Sequence, residues 1–195
     1  MYKLIREDKC CNRPCTLPKT VDIPIELYKS LRGEYFIGYA DNLSFSSNTS
    51  TWARLYNPPH SGVNLHVNVW TVTDISAAPF RAQFWFNATP PPSEIKDSPL
   101  VTPSNTAICP PPIPEVKLQS ASDVSGEPTG GVKAFVRRGE PGTTLVESEN
   151  GKLIFPPGGS FLVFLSIQEG FPGVTASGRI AFGWWEEKLP VKCIR

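Results

Sequence analysis

The segment Gly62–Asp74 carries the sequence pattern that most constrains how this chain can fold. Its apolar and polar residues alternate in the order Val63, Asn64, Leu65, His66, Val67, Asn68 and Val69. Such period-two alternation is typical of a β-strand with one buried face and one exposed face. The segment Phe80–Asn87 repeats it, placing on one face Phe80, Ala82, Phe84 and Phe86. A sheet with an apolar face must pack against a second layer, so the pattern predicts a layered β protein.

Prolines and turn sequences divide the rest of the chain into short, strand-sized runs. The 21 prolines among 195 residues are about twice the usual share of ~5%, which argues against a helical protein. Further strands are predicted over Glu34–Ala40, Trp52–Asn57, Glu115–Ala121, Val132–Arg137, Thr143–Glu147, Lys152–Phe155, Ser160–Ile167 and Ser177–Glu186, with a short one near Leu100. One short helix is predicted over Ile23–Arg32, because Pro24 lies near its start and Gly33 follows its end.

Together these elements predict an all-β, antiparallel, jelly-roll-like β-sandwich of about eight to ten strands. An immunoglobulin-like sandwich is the alternative. We expect the β-sandwich domain to span residues 23–195. Residues 1–22 hold Pro14, Pro18 and three of the five cysteines, and they are predicted to form an extended N-terminal connector arm.

The charge balance and the first residues exclude several classes of protein. The 19 basic and 18 acidic residues give a net charge of +1, so we expect no binding of nucleic acid or of an anionic membrane. Residues Met1–Lys9 are charged and lack the apolar run of a secretory signal peptide. No stretch approaches the ~18 apolar residues of a membrane span. We therefore expect synthesis in the cytoplasm without a signal peptide, and no membrane insertion.

The residues that could carry chemistry do not form a recognisable catalytic or metal-binding motif. His60 and His66 are the only histidines, and their spacing is not that of a metal-binding His-x-His pair. Cysteines 10, 11 and 15 leave a zinc site as a weak alternative, because structural sites usually place two residues between paired cysteines. Glu186 and Glu187 are adjacent on a predicted strand, so they point to opposite faces and cannot act on one bond. We expect a protein that is not an enzyme and has no cofactor or metal.

The tryptophans allow two interpretations. Exposed Trp70, Trp85, Trp184 or Trp185 could stack on sugar rings, as in a carbohydrate-binding module. Alternatively, they fill the core or a contact between subunits, and we favour this interpretation. Trp184 and Trp185 are adjacent on one strand, so at least one of them is expected to face away from the core.

The five cysteines are Cys10, Cys11, Cys15, Cys109 and Cys193. None lies within a predicted strand, although free cysteine is normally among the most buried residues. A disulfide between the adjacent Cys10 and Cys11 would close a strained ring. Because the number of cysteines is odd, at least one thiol is left to bond with a second molecule. Intermolecular disulfides are therefore predicted, with reduced thiols of no special role as the alternative. An extended arm of about 20 residues could reach ~65–70 Å, far enough to contact a neighbouring copy and form a head-to-tail homopolymer.

Several stretches resemble an uncharacterised family of small proteins from spore-forming Firmicutes. They are Trp52–Pro59, Gly62–Asp74, Gly126–Gly139, Phe155–Phe161 and Gly178–Glu187. In architecture the chain is also similar to endospore appendage subunits, which are jelly-roll proteins whose N-terminal connector carries adjacent cysteines that bond to earlier subunits. The resemblance implies this role for Cys10 and Cys11, with Cys109 and Cys193 as acceptors on the folded body.

These features predict a structural subunit of a self-assembling, disulfide-crosslinked fibre. Its arm would engage neighbouring subunits, and its final location would be the spore or cell surface, outside the cell. A carbohydrate-binding or phage-type surface module that uses exposed tryptophans is the alternative.

Overall fold

The structure is a computed structural model, and it describes residues 2–4, 20–75, 78–168 and 170–190. The secondary-structure elements within these residues are β1 (Tyr2–Leu4), β2 (Val21–Ile23), α1 (Ile25–Leu31), β3 (Tyr35–Ser46), β4 (Ser50–Tyr56), β5 (Val63–Asp74), β6 (Phe80–Phe86), β7 (Lys96–Asp97), β8 (Val101–Pro103), β9 (Lys117–Val124), β10 (Val132–Gly139), β11 (Thr144–Phe155), β12 (Ser160–Ile167) and β13 (Thr175–Lys188). The short helix between Pro24 and Gly33 is confirmed.

Two antiparallel sheets form a β-sandwich, which confirms the predicted fold class. One sheet has six strands in the order β10-β6-β12-β4-β9-β7, and the other has five in the order β11-β5-β13-β3-β8. The longer strands alternate between the sheets from β3 to β6 and again from β10 to β13, whereas β6, β9 and β10 all belong to the six-stranded sheet. The chain thus crosses repeatedly between the two layers, and the jelly-roll arrangement itself stays a prediction. Among the described residues the two sheets contain 11 strands: the short strand predicted near Leu100 is present as β8, and β7 is a further short strand in the proline-rich segment 89–114.

The core lies between the two sheets and is largely aromatic. The ring centroids of Phe84 and Trp70 are 4.3 Å apart, and those of Phe36 and Trp184 are 5.9 Å apart. The predicted alternation in β6 is confirmed, since Phe80 and Phe84 are buried. Aromatic side chains of this size dominate the burial of apolar surface and so stabilise the sandwich.

The alternation in β5 does not continue to Val69, which corrects the sequence prediction. Val67 and Trp70 both face the core, whereas Val69 lies on the outer face of the sheet. The pairing of β13 with β5 shifts register between Gly183 and Trp184, opposite this point. A β-bulge of this kind moves the following side chains to the other face of the sheet.

The strand β11 joins two segments that the sequence divides. Glu149-Asn150-Gly151 reads as a turn, but the structure continues as one strand from Thr144 to Phe155. Asn150 and Gly151 both have positive φ, and the register with β5 shifts between Ser148 and Leu153. The turn sequence therefore forms an irregularity within the strand.

The predicted connector arm, residues 1–22, lies mostly outside the described residues and stays a prediction. Tyr2–Leu4 pairs with Val21–Ile23 in an antiparallel two-stranded sheet. The two ends of the segment consequently lie side by side.

Candidate functional site

Cys109 lies on the proline-rich segment between β8 and β9, and its side chain is exposed. The residues around it are held against the end of α1. Ile108 and Pro112 lie within 3.0 Å of where a Cβ on Gly33 would stand, and Gly33 has a φ of +71°. A glycine is needed here because it tolerates both the positive φ and this close approach. The exposed thiol therefore lies on a segment that packs on the folded body.

The end of β13 packs at the same end of the sandwich. The backbone N–H of Glu186 donates to the carbonyl of Glu34 at 2.9 Å. The carboxylate of Glu186 accepts hydrogen bonds from the backbone N–H groups of Glu115 and Val116, each at 3.0 Å. Burial raises the pKa of Glu186, although these hydrogen bonds oppose that effect. Because Glu115 ends the segment that carries Cys109, this carboxylate links that segment to β13.

The other cysteines, Cys10, Cys11, Cys15 and Cys193, lie outside the described residues, so their partners stay a prediction. Thr20 and β2 lead directly into α1, which packs near Cys109, and Pro190 follows soon after Glu186.

The outer face of the five-stranded sheet carries an apolar groove of about 460 Å³. Six of the residues that line it are Ile37, Tyr39, Val69, Leu100, Ala181 and Gly183. The exposed fractions are 45% for Ile37, 42% for Leu100 and 37% for Tyr39. The floor of the groove is formed by the small residues Ala181 and Gly183, which leave the groove deep. A Cβ on Gly183 would lie within 2.7 Å of the Tyr35 hydroxyl and of Val69, so a larger residue does not fit there.

No charged side chain lines this groove within the part of the chain that the structure describes. The nearest ion pair along β3 and β13 joins Arg179 to Asp41 at 2.8 Å. The hydrogen bond that Arg179 donates lowers the pKa of Asp41. Contiguous exposed apolar surface is uncommon on monomeric proteins and marks interaction sites. Leu100 belongs to the same proline-rich segment as Cys109, so this segment supplies both one wall of the groove and a thiol.

The groove is not among the features predicted from the sequence, although the residues of β3 indicate it. Both of its faces are apolar, since Phe36 and Ala40 face the core while Ile37 and Tyr39 face outward. A strand with two apolar faces indicates a second contact beyond the core.

The tryptophans mostly fill the interior. Trp70 and Trp184 are 1% and 0% exposed and belong to the core. Trp185 faces away from the core, as expected for one member of the pair, but it is only 5% exposed because other groups cover it. Its indole stacks on the His66 ring at 5.2 Å, and Gly151 lies against it. Trp85 is partly exposed, with the Lys133 ammonium 4.7 Å from its ring centroid.

His66 is a buried, hydrogen-bonded residue. Its Nδ1 lies 3.1 Å from the carbonyl of Gly151, and its Nε2 lies 3.2 Å from the carboxylate of Glu187. Glu187 and Glu186 thus contact different groups on opposite sides of β13, as their adjacency predicts. Within the described ranges, no three His, Cys, Asp or Glu side chains are grouped closely enough to hold a metal ion.

The fold and the groove define an antiparallel β-sandwich protein with an apolar outer sheet face. The chain belongs to DUF6143, a family of unknown function, whose model matches residues 9–191. No curated protein and no solved structure matches the chain. Among the described residues, no helix has the length and hydropathy needed to span a membrane.

Proposed function

We propose that this protein is a non-enzymatic structural subunit of a self-assembling fibre on a spore or cell surface. The observation that carries the proposal is the uncharged apolar groove on the outer face of the five-stranded sheet. Each copy places a different part of its surface against this face of the next copy, and disulfides then lock the contacts. Such a fibre needs no ligand beyond the chain itself.

The groove suits a neighbouring copy of the chain. Complete burial of a large apolar side chain stabilises by about 1.5–3 kcal/mol. Ile37, Tyr39 and Leu100 each leave between 37% and 45% of their surface exposed, so covering each one contributes about 1 kcal/mol. A repeated head-to-tail contact that does not close into a ring produces a filament.

Cys109 supplies a thiol for the covalent lock. Its exposure allows a cysteine of a neighbouring copy to approach, with Cys10, Cys11 and Cys15 as candidate partners. Two thiols lose two protons and two electrons to an oxidant such as dioxygen when they form the disulfide. Such bonds persist in oxidising surroundings, which agrees with assembly outside the cell after the chain leaves the cytoplasm. The location rests on the resemblance to spore-former proteins.

Sedimentation velocity of the full chain in reducing buffer, with electron microscopy of the same samples, tests the proposal. The wild type is expected to form filaments whose size grows with concentration. Ile37→Asp places a charge in the apolar contact and is expected to remain monomeric. Ile95→Asp is the matched control, because Ile95 is 44% exposed against 45% for Ile37 but lies outside the groove.

Two results would refute this role of the groove. One is a wild-type chain that stays monomeric at every concentration. The other is equal assembly of the two aspartate variants.

The alternative function, a carbohydrate-binding or phage-type surface module, depends on Trp85. This is the tryptophan with the most accessible indole, but Lys133 lies over its ring. Saturable, sugar-dependent quenching of tryptophan fluorescence that is lost in Trp85→Leu would favour this alternative over the fibre.

A further inference from the structure

A second concave site lies on the other sheet, away from the apolar groove. It is a cleft of about 350 Å³ between the Pro90–Pro92 segment and the outer face of the six-stranded sheet. Arg54 and Tyr56 of β4 form its floor, and Asn87 and Ser160 lie at one side. The size is that of a small-molecule site.

The Arg54 side chain is fixed in place. Its Nε and Nη2 both donate to Oε1 of Gln119, at 3.0 and 2.8 Å. The guanidinium carbon lies 4.6 Å from the ring centroid of Tyr56 and 5.7 Å from that of Trp52. Arg54 is partly buried, and this burial lowers its pKa below the ordinary value. The guanidinium fork is therefore already ordered before any ligand arrives.

Arg54 is the one charged residue in the described lining of the cleft. No carboxylate in the described part of the chain lies within ion-pair distance of it. Asp97 is the acidic residue whose charge acts on Arg54. The carboxylate of Asp97 is hydrogen-bonded to Lys117 and Gln119 instead. Asp97 acts on the Arg54 guanidinium only at a distance, without an ion-pair contact, so an anion in the cleft would compensate the cost of burying this cation.

The geometry around Arg54 selects the kind of anion. The Nη1 of Arg54 has no protein acceptor among the described residues. The outer edge of the guanidinium, formed by Nη1 and Nη2, can therefore donate to both oxygens of a carboxylate. Asn87 uses its Oδ1 to accept the N–H of Ser160 at 3.0 Å, which leaves its amide N–H₂ as a further donor. The proline rings and the Tyr56 ring supply apolar walls.

We propose that this cleft binds a small ligand through a carboxylate, which pairs with the outer edge of Arg54 while the ligand body packs between Tyr56 and the Pro90–Pro92 segment. A sugar acid and an acidic residue of a peptide both present this chemistry. The site goes beyond the proposed fibre function and does not depend on it.

Titration of the full chain, followed by NMR chemical shifts, tests the proposal with three probes. These are D-glucuronate, N-acetyl-L-glutamate and the neutral D-glucose. Saturable shifts with glucuronate alone would identify a sugar acid, and shifts with acetylglutamate alone would identify an acidic peptide. Both acids binding equally would support recognition of the carboxylate itself. Absence of saturation with both acids, or equal binding of glucose, would overturn the proposal.

Arg54→Gln is expected to weaken binding of the acid by about tenfold to a hundredfold, the range for losing a hydrogen bond to a charged group. Arg179→Gln is the matched control, since it removes a guanidinium from the opposite sheet and is expected to leave binding unchanged. Asn87→Asp provides a second variant that keeps Arg54 and its packing. The new carboxylate retains the acceptor for Ser160 but repels the ligand, so binding is again expected to fall. Unchanged affinity in both cleft variants would overturn the proposal.

Discussion

Replacing Gly151 by alanine tests why β11 carries a glycine beneath Trp185. Gly151 has a φ of +69°, and a Cβ added there would overlap the six-membered ring of Trp185. That ring cannot move freely, because Trp185 is 5% exposed and stacks on His66 at 5.2 Å. Alanine at this position therefore encounters two separate costs, a strained backbone and a steric overlap.

Gly142 separates the two costs. It has nearly the same φ, +68°, but no atom lies within 4 Å of where its Cβ would stand. Gly142→Ala should therefore cost only the backbone penalty, about 1 kcal/mol. Gly151→Ala should add the cost of overpacking, about 1–3 kcal/mol, and so reach about 2–4 kcal/mol.

Urea denaturation measures the free energy of unfolding of both variants against the wild type. Trp185→Leu removes the overlapping ring, so the double variant with Gly151→Ala should show a favourable coupling of about 1 kcal/mol or more. Equal losses for the two glycine variants, or a double variant without coupling, would show that Trp185 does not select glycine at this position.

Three further predictions concern buried polar groups and the exposed thiol. The pKa of Glu186 is raised in the folded state, so its contribution to stability is present below its ordinary pKa and is lost as the pH rises through the raised value. The free energy of unfolding of Glu186→Gln relative to the wild type should therefore be more favourable at about pH 8 than at about pH 4. A difference between the two proteins that does not depend on pH would contradict this. Asn57→Ala should cost about 2–4 kcal/mol in urea denaturation, because its Nδ2 donates to the carbonyls of Val63 at 2.8 Å and Phe155 at 3.0 Å. A loss below about 1 kcal/mol would contradict this contribution. Cys109→Ser should reduce the amount of disulfide-linked multimers that oxidised protein shows on non-reducing gels. It should not prevent assembly in reductant. An unchanged pattern of multimer bands would exclude Cys109 as a crosslinking site.

The local patterns in the sequence predicted the elements of the sandwich well. Phe80 and Phe84 of β6 are buried as their alternation requires, because a strand places successive side chains on opposite faces whatever surrounds it. Likewise, Pro24 and Gly33 bound the short helix, because proline fixes φ at the first turn and glycine tolerates the positive φ after the last.

Features that depend on partners distant in the sequence could not be predicted. The change of face between Val67 and Trp70 depends on how β5 pairs with β13, which no local pattern encodes. The sequence predicts that at least one of Trp184 and Trp185 faces outward, and Trp185 does, but its burial depends on His66 and Gly151 from two other strands.

The sequence by itself determined the all-β class, the short helix and the positions of the cysteines, because these follow from local backbone preferences and residue identity. Only the tertiary structure decided which outward faces stay open. The groove beside Ile37 and the cleft at Arg54 both require segments of the proline-rich connection to lie against strands far away in the chain. The physical reason is that burial is a property of packing between segments, whereas alternation is a property of one segment.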